Sequence, residues 1–275
     1  MPRKNVLVTG CSSGIGRAAA RSLHARGWRV FASVRRTSDL GSVEADGLTG
    51  ILLDLDDPVS VDVAANQVLE ATDGHLDALV NNAGFALPGA VEDLGREMLR
   101  AQFETNLFGT FDLTARLIPA MRTRGGGRIV MISSILGLVA MPWRGAYNAS
   151  KFALEGLTDT LRMELHGSGI YVSTVEPGPI SSRFRDNAIA RFDRHVGETG
   201  SVHRDSYRRL RADTGERKDS QPFTLPPEAV ARRIVHALEA HRPKSHYLVT
   251  TPAWLLAGLR RLLPRAWLDG LLRRI

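Results

Sequence analysis

The chain has 275 residues, of which 43% are hydrophobic, and it carries a formal net charge of +7 with a pI near 10.1. This length and apolar content suit one large core, and no linker rich in Gly, Ser or Pro divides the chain, so we predict a single domain over residues 1–275. The basic residues are dispersed and no DNA or RNA motif is present, which argues against nucleic-acid binding. The single cysteine, Cys11, excludes an intrachain disulfide, and the eight histidines lack ligand spacing, so no metal site is predicted.

A glycine-rich turn lies near the start of the chain. Residues 5–10 form a short apolar run typical of a buried parallel strand, and residues 14–27 have helical spacing. The turn between them presents backbone N–H groups at a helix N-terminus, where a pyrophosphate is stabilised. We expect Gly10 to permit the tight turn, Gly14 the close approach of phosphate, and Gly16 close packing of helix on strand. The Gly-Lys-Ser/Thr ending of a nucleotide triphosphate loop is missing, which argues against a kinase or an ATPase.

Strands and helices alternate along the rest of the chain. Further strands are predicted at residues 29–34, 50–55, 78–82, 127–134, 170–176 and 246–250, and further helices at residues 59–72, 97–122, 146–167 and 228–241. This alternation predicts an α/β fold, a Rossmann-type doubly wound parallel sheet with helices on both faces. Ligands bind such sheets at the carboxyl ends of the strands.

A tyrosine and a lysine lie four residues apart on the helix predicted at residues 146–167. Tyr147 and Lys151 therefore share one helix face, and Ser134 lies upstream at the end of a strand. A nearby cation favours phenolate and moves the pKa of a tyrosine down from about 10, so that it can exchange a proton with an alcohol or a ketone. A chance pair on a solvated helix face is the alternative for Tyr147 and Lys151 taken alone.

Four motifs occur in order along the chain. They are the glycine turn at residues 9–16, Asn81-Asn82-Ala83-Gly84, Ser134 with Tyr147-x-x-x-Lys151, and Pro177-Gly178. On these motifs the chain resembles the short-chain dehydrogenase/reductase family in its compact single-domain branch, and its overall pattern is similar to the steroid and retinol dehydrogenases of that family. The resemblance implies an NAD(P)-dependent enzyme that interconverts a carbonyl and an alcohol.

The resemblance assigns a role to each polar residue of the catalytic set. Tyr147 is the general acid/base, Lys151 lowers the pKa of that phenol and hydrogen-bonds the nicotinamide ribose, and Ser134 polarises the substrate oxygen. Strand alternation points Ser133 to the opposite face. Asn106 corresponds to the asparagine that holds a water between Lys151 and solvent, and the alternative for it is a helix-interior amide that satisfies backbone groups.

The resemblance also outlines a cofactor site along the carboxyl ends of the strands. Asp54 would contact the adenine, with a cap for the following helix as its alternative, and the segment from Asn81 to Gly84 would line the adenosine side. The expected cofactor-binding residues are Gly10, Ser12, Ser13, Gly14, Ile15, Gly16, Arg35, Arg36, Asp54, Leu55, Asn82, Ala83, Gly84, Tyr147, Lys151, Pro177, Gly178 and Ile180.

The end of the second strand indicates which cofactor is used. An NAD enzyme usually places a carboxylate there for the ribose 2′-hydroxyl, but this chain has Arg35 and Arg36. A guanidinium at that place can pair with a 2′-phosphate through charge-assisted hydrogen bonds. NADP(H) is therefore favoured, NAD(H) stays open, and two arginines on a solvated turn are the alternative explanation.

Two segments depart from the sheet-forming pattern. Residues 180–226 are expected to cover the nicotinamide and the substrate cleft, and their mixed Arg and Asp content favours a solvated helical lid over a site for an anionic substrate. Residues 252–275 form a tail of two short amphipathic helices broken at Pro264. One apolar stripe contains Leu255, Leu259, Leu262 and Leu263, and the second contains Trp267, Leu268, Leu271 and Leu272.

The tail and the catalytic set together suggest the partners. An arginine-flanked apolar tail can lie on an anionic membrane, but packing on its own lid or on a partner subunit is favoured, so a homo-oligomer is expected. Either arrangement suggests a lipophilic alcohol or ketone as substrate.

No signal peptide or membrane-spanning run is seen, so we expect a cytoplasmic protein. A non-catalytic NADP(H)-binding sensor or scaffold is the alternative function, and the intact Ser-Tyr-Lys set argues against it.

Overall fold

Seven parallel strands form one sheet at the centre of the molecule. The computed structural model describes residues 3–196, 200–216 and 223–273. The strand order is β3-β2-β1-β4-β5-β6-β7, so the direction of winding reverses between β1 and β4 and opens a crevice at their carboxyl ends. The strands are β1 Asn5–Val8, β2 Arg29–Val34, β3 Thr49–Leu52, β4 Ala78–Asn81, β5 Gly127–Ile132, β6 Ile170–Glu176 and β7 His246–Leu248.

Helices cover both faces of the sheet, which confirms the predicted doubly wound α/β fold. They are α1 Gly14–Ala25, α2 Leu40–Glu44, α3 Pro58–Ala71, α4 Arg96–Phe103, α5 Gly109–Thr123, α6 Gly145–Glu164, α7 Phe184–His195, α8 Arg204–Glu216, α9 Pro227–Glu239, α10 Thr251–Leu262 and α11 Arg265–Leu272. One core layer lies between the sheet and α1 with α9, and the other lies between the sheet and α3, α5 and α6. Along β1, Val6 and Val8 point into the first layer and Leu7 into the second, as strand alternation requires.

Several predicted elements end earlier in the structure. The strand predicted at residues 50–55 ends at Leu52, and the one predicted at residues 127–134 ends at Ile132. The helix predicted at residues 97–122 is interrupted by a π-helical turn, Glu104–Phe108, which joins α4 to α5. A π turn inside a helix commonly marks a functional position, and this one carries Asn106.

The segment predicted to be a lid is tied together at its base. Ile180 and Leu225 form an isolated parallel bridge, in which Ser181 N donates to Leu225 O at 2.9 Å and Leu225 N donates to Pro179 O at 3.1 Å. Helices α7 and α8 lie between these two ends of the segment. The ends of residues 180–226 therefore meet beside the carboxyl end of β6.

The tail forms α10 and α11, but its buried stripe differs from the predicted one. The side chains that turn inward are Ala253, Leu256, Leu268 and Leu272, whereas Leu255, Leu262, Trp267 and Leu271 are exposed. Leu259 and Leu263 are partly buried against the same cluster, so four residues of the predicted stripes pack inward and four do not. Both faces of each helix carry apolar residues, and only tertiary packing selects the inner one. Within the residues described, no helix combines the length and apolar content needed to cross a bilayer.

Candidate active site

The glycine turn between β1 and α1 is tightly packed. Gly10 and Gly14 have φ values of +73° and +59°, a region that favours glycine. A Cβ on Gly16 would lie 2.3 Å from the Gly10 carbonyl oxygen, so only glycine allows α1 to approach the turn this closely. Ser13 begins α1 without a side-chain cap, which leaves helix N–H groups available to an anion. The turn thus fits the pyrophosphate of a dinucleotide.

Thr9, to which the sequence assigned no separate role, holds this turn against the end of β4. Thr9 Oγ1 accepts hydrogen bonds from Asn82 N and Ala83 N, both at 2.9 Å. In return, Asn82 Nδ2 donates to Thr9 O at 2.8 Å and to Gly10 O at 3.2 Å. The Asn-Asn-Ala-Gly motif, which begins at the last residue of β4, therefore lies against the glycine turn, and its cofactor role stays a prediction.

The carboxyl ends of β2 and β3 form the edge expected for the adenosine. Arg35 and Arg36 are exposed just beyond β2. Arg191 of α7 also reaches this edge, where burial, followed by the positive charge of Arg35, lowers the pKa of Arg191. Its guanidinium carbon lies 3.6 Å from the centre of the Phe85 ring. The sequence grouped Arg191 with the solvated lid arginines, and only folding shows that it faces the cofactor edge.

Asp54 does not cap the helix that follows β3, so the alternative role predicted for it was wrong. The helix after β3 is capped by Asp57, whose Oδ1 accepts from Val59 N at 2.9 Å. Asp54 instead accepts from Asp56 N at 3.2 Å within the preceding turn. Leu55, also predicted at the cofactor, is buried, and its carbonyl oxygen packs so closely on α5 that a Cβ on Gly109 would lie 1.9 Å from it.

The structure brings Ser134, Tyr147 and Lys151 together next to the carboxyl end of β5. Ser134 lies two residues beyond the strand and its Oγ accepts from Leu136 N at 3.1 Å. Tyr147 lies in the first turn of α6, and Lys151 follows one turn later on the same face. Lys151 Nζ donates to Ile132 O at 2.7 Å and lies 5.8 Å from the centre of the Tyr147 ring. All three side chains are buried.

Burial controls the protonation of this set. It raises the pKa of Tyr147 to about 12, and the Ser134 hydroxyl opposes that rise. It also lowers the pKa of Lys151 to about 8, while the charge of Glu155 acts in the opposite direction. The phenol pKa therefore lies above its usual value, not below it as expected, because burial raises it and only the Ser134 hydroxyl opposes that rise. At neutral pH the Tyr147 phenol therefore keeps its proton and lies beside a lysine that is mostly charged.

Asn106 and Gln102 hold the loop that follows β4. Asn106 Oδ1 accepts from Phe85 N at 3.0 Å, and its Nδ2 donates to Phe85 O at 2.9 Å and to Ser150 Oγ at 3.1 Å. Gln102 binds the same loop through Leu87 N and Phe85 O. The side chain of Asn106 satisfies backbone groups, as its alternative role states, and its link to Lys151 through water stays a prediction. Gln102 was missed because a helical glutamine carries no motif.

The segment after β6 closes the site from the lid side. Pro177 O accepts from Ile135 N at 3.0 Å, next to Ser134. Gly178 packs against Thr250, since a Cβ there would lie 2.1 Å from Thr250 Oγ1. Ser182 begins the lid opposite the glycine turn, 3.4 Å from the place where a Cβ of Gly14 would stand. Pro177, Gly178 and Ile180 therefore lie between the catalytic set and the predicted cofactor turn.

An apolar wall surrounds the phenol of Tyr147. The Phe184 ring of α7 packs edge-on at 5.7 Å between ring centres. The buried side chains that cluster with Tyr147 come from the β4–α4 loop, the β5–α6 loop, the lid and the tail, and they are Ala86, Ile135, Leu136, Val139, Ala188, Ala253, Leu256, Leu268 and Leu272. Such a wall excludes water and offers an apolar surface to a substrate.

Known proteins are similar to this chain in sequence and in fold. The short chain dehydrogenase family profile matches residues 4–191. The uncharacterized oxidoreductase YbbO of Escherichia coli is 44% identical over 272 residues, which cover 98% of this chain and 94% of that protein. The chain belongs to the short-chain dehydrogenase/reductase family.

Two further relatives in that family have names that state a substrate or a cofactor. Human retinol dehydrogenase 8 is 35% identical over 257 residues (87% of this chain, 79% of that protein), and the NADPH-dependent 3-dehydrocapnine reductase of Ornithobacterium rhinotracheale is 32% identical over 273 residues (96% and 94%).

Two solved structures with this fold contain a dinucleotide. A short chain dehydrogenase from Burkholderia cenocepacia in complex with NADP has a TM-score of 0.76 and 25% identity, with 98% of this chain and 97% of that chain covered. A family member from Burkholderia phymatum in complex with NAD has a TM-score of 0.80 and 25% identity, with 98% and 95% covered. The predicted family and the NAD(P)-dependent oxidoreductase activity are confirmed, and the non-catalytic alternative finds no support.

Proposed function

We propose that this short-chain dehydrogenase/reductase uses NADP(H) to interconvert a lipophilic ketone and its alcohol, with Tyr147 as the general acid/base. The observation that carries the proposal is the buried phenol of Tyr147, which lies beside Ser134 and Lys151 and within an apolar wall. A dry site of this kind strengthens each electrostatic contact with the reacting carbonyl.

The chemistry follows from the three side chains. When NADPH is bound, its nicotinamide supplies the hydride that adds to the carbonyl carbon. Tyr147 donates its proton to the carbonyl oxygen, and the Ser134 hydroxyl donates a hydrogen bond that orients that oxygen and stabilises its growing negative charge. Lys151 remains charged at neutral pH, because its pKa is about 8, and stabilises the phenolate that the transfer leaves on Tyr147.

Charge at the adenosine edge supports NADP(H) over NAD(H). Arg35 and Arg36 follow β2, where a carboxylate would serve NAD, and Arg191 adds a third cation from α7. Guanidinium groups bind phosphate oxygens through short charge-assisted hydrogen bonds. The name of the 3-dehydrocapnine reductase points to NADPH in one relative.

The tail supports both the lipophilic substrate and contact with a membrane. Its inner face contributes to the wall around Tyr147, and its outer face exposes Trp254, Leu262 and Trp267 to 61%, 80% and 71%. In the part of the chain that the structure describes, the four tail arginines Arg260, Arg261, Arg265 and Arg273 form no ion pair with a carboxylate. Exposed tryptophans beside arginines that form no ion pair suit the surface of an anionic bilayer. We therefore propose a cytoplasmic enzyme that contacts the membrane through this outer face.

Tyr147→Phe tests the catalytic assignment. The variant keeps the ring in its apolar wall but loses the proton donor, so NADPH should still bind while turnover falls by about 10²-fold or more. Turnover is measured as NADPH oxidation with a panel of medium-chain aldehydes, cyclic ketones and steroids. Tyr171→Phe, an exposed tyrosine on β6, is the matched control and should retain activity. Full turnover in Tyr147→Phe with any competent substrate would refute the assignment.

A further inference from the structure

A buried carboxyl group on α6 lacks a hydrogen-bond partner. Glu155 is 7% exposed, and neither of its carboxylate oxygens forms a hydrogen bond with the residues described. The Ser133 hydroxyl is buried and lacks a partner in the same way. These two side chains lie side by side, because a Cβ on Gly137 would lie 2.8 Å from Ser133 Oγ and 3.0 Å from Glu155 Cγ. Buried polar atoms are almost always paired, so this carboxyl group needs an explanation.

A second carboxylate and an imidazole lie next to Glu155. Glu176 ends β6 and is fully buried, whereas His246 begins β7 and has a side chain that is 38% exposed. One ligand-capable atom from each of Glu155, Glu176 and His246 lies within 4.8 Å of those of the other two. The fold therefore brings three metal-ligating side chains together from α6, β6 and β7. The spacing of histidines along the chain could not show this, because Glu176 and His246 are 70 residues apart.

The donor atoms suit a divalent transition-metal ion. Zn²⁺ binds imidazole nitrogen and carboxylate oxygen at about 2.0–2.2 Å, which places the ligand atoms of a tetrahedral site about 3.4 Å apart. His246 Nδ1 lies 2.6 Å from Glu176 Oε1, and the set as a whole spans no more than 4.8 Å. Small side-chain rotations therefore suffice to place all three atoms around one ion. The Ser133 hydroxyl beside Glu155 offers a fourth oxygen.

Groups behind these side chains orient them for a metal. Tyr247 N donates to Glu176 Oε2 at 3.0 Å, so that Oε1 is the oxygen that faces His246. Asp159 Oδ1 lies 3.5 Å from His246 Nε2 and is itself paired with Arg162 at 2.8 Å. A carboxylate behind a histidine favours the proton on the far ring nitrogen, which makes Nδ1 the ligand.

The charge of the set also favours a cation. Two carboxylates that lie this close in a buried place repel each other, and one protonated imidazole offsets only one of them. A divalent ion offsets both. The half-exposed ring of His246 provides a way in from solvent.

We propose that Glu155, Glu176 and His246 form a structural site for a divalent transition-metal ion, with Zn²⁺ as the ion that these ligands fit best. The ion joins α6, which carries Tyr147 and Lys151, to the ends of β6 and β7. On binding, the proton that His246 Nδ1 shares with Glu176 passes to water. The site takes no part in hydride or proton transfer to the substrate, so it does not depend on the function proposed above.

Metal content tests the site in the full chain purified without a histidine tag. The protein is stripped with EDTA, equilibrated with micromolar Zn²⁺ and separated from free ion by gel filtration. Wild type should retain about one equivalent of zinc, whereas Glu155→Gln and His246→Ala should each retain about tenfold less. The matched controls are Glu164→Gln and His166→Ala, which change exposed residues at the end of α6 and should retain as much zinc as wild type. Equal retention by all five proteins, or none by wild type, would overturn the site.

Thermal unfolding provides a second measurement that holds even if a variant does not fold. An ion that binds only the folded chain stabilises it, so Zn²⁺ should raise the Tm of stripped wild type and EDTA should reverse the rise. Mg²⁺ at the same concentration should not reproduce the rise, because it prefers six oxygen ligands. Folded Glu155→Gln should melt at one temperature with and without Zn²⁺. If Glu155 holds a proton in place of an ion, Zn²⁺ leaves the Tm of wild type unchanged, and that result would refute the proposal.

Discussion

Gly16→Ala tests how closely the cofactor turn must be packed. The added Cβ would lie 2.3 Å from Gly10 O and 2.5 Å from Asn82 Nδ2. Carbon contacts normally need roughly 3.5 Å, so α1 and the turn must separate by on the order of 1 Å. That movement stretches the hydrogen bonds from Asn82 Nδ2 to Thr9 O and Gly10 O. Overpacking costs about 1–3 kcal/mol and a lost hydrogen bond about 1 kcal/mol, so unfolding free energy should fall by about 2–4 kcal/mol.

The same change should weaken cofactor binding, because the displaced N–H groups are those expected to hold the pyrophosphate. Denaturant unfolding measures the stability, and a fluorescence titration with NADPH measures the affinity. Gly156→Ala is the matched control, since Gly156 is exposed on α6 with nothing within 4 Å of an added Cβ. Helix propensity predicts that this control gains up to about 1 kcal/mol. Wild-type stability and NADPH affinity in Gly16→Ala would refute the close packing described for the turn.

Two further predictions concern the cofactor and the tail. Arg35→Asp should weaken NADPH by roughly 2 kcal/mol or more, because it replaces a charge-assisted hydrogen bond with repulsion; Arg96→Asp on α4 is the control, and tighter binding of NADH than NADPH by wild type would contradict the NADP(H) proposal. Wild type should sediment with anionic vesicles at low salt and be released as salt rises, since screening acts over about 10 Å at 0.1 M. The double variant Trp254→Ser/Trp267→Ser should stay in solution, whereas Val59→Ser/Val63→Ser, which removes exposed valines from α3, should still sediment. If wild type does not bind vesicles but forms dimers, and the tail variant forms none, then the outer face of the tail is an interface with a second copy of the chain.

Sequence alone was sufficient for the fold class and for the residues of the candidate site that belong to local motifs. Strand and helix periodicities repeat within a few residues, so the alternation that predicts a doubly wound sheet is visible along the chain. The glycine turn and the spacing of Tyr147 and Lys151 are local for the same reason, because turn geometry and helix pitch relate near neighbours.

Tertiary structure decided the properties that depend on residues distant in sequence. Gln102 and Arg191 carry no local signal, and they reach the site or its edge only because the sheet and the lid bring remote segments together. The buried face of the tail was likewise chosen by packing, since each helix is apolar on both sides. The direction of the Tyr147 pKa shift could not be predicted from its spacing to Lys151, because spacing reports near neighbours while the fold sets the burial that raises this pKa.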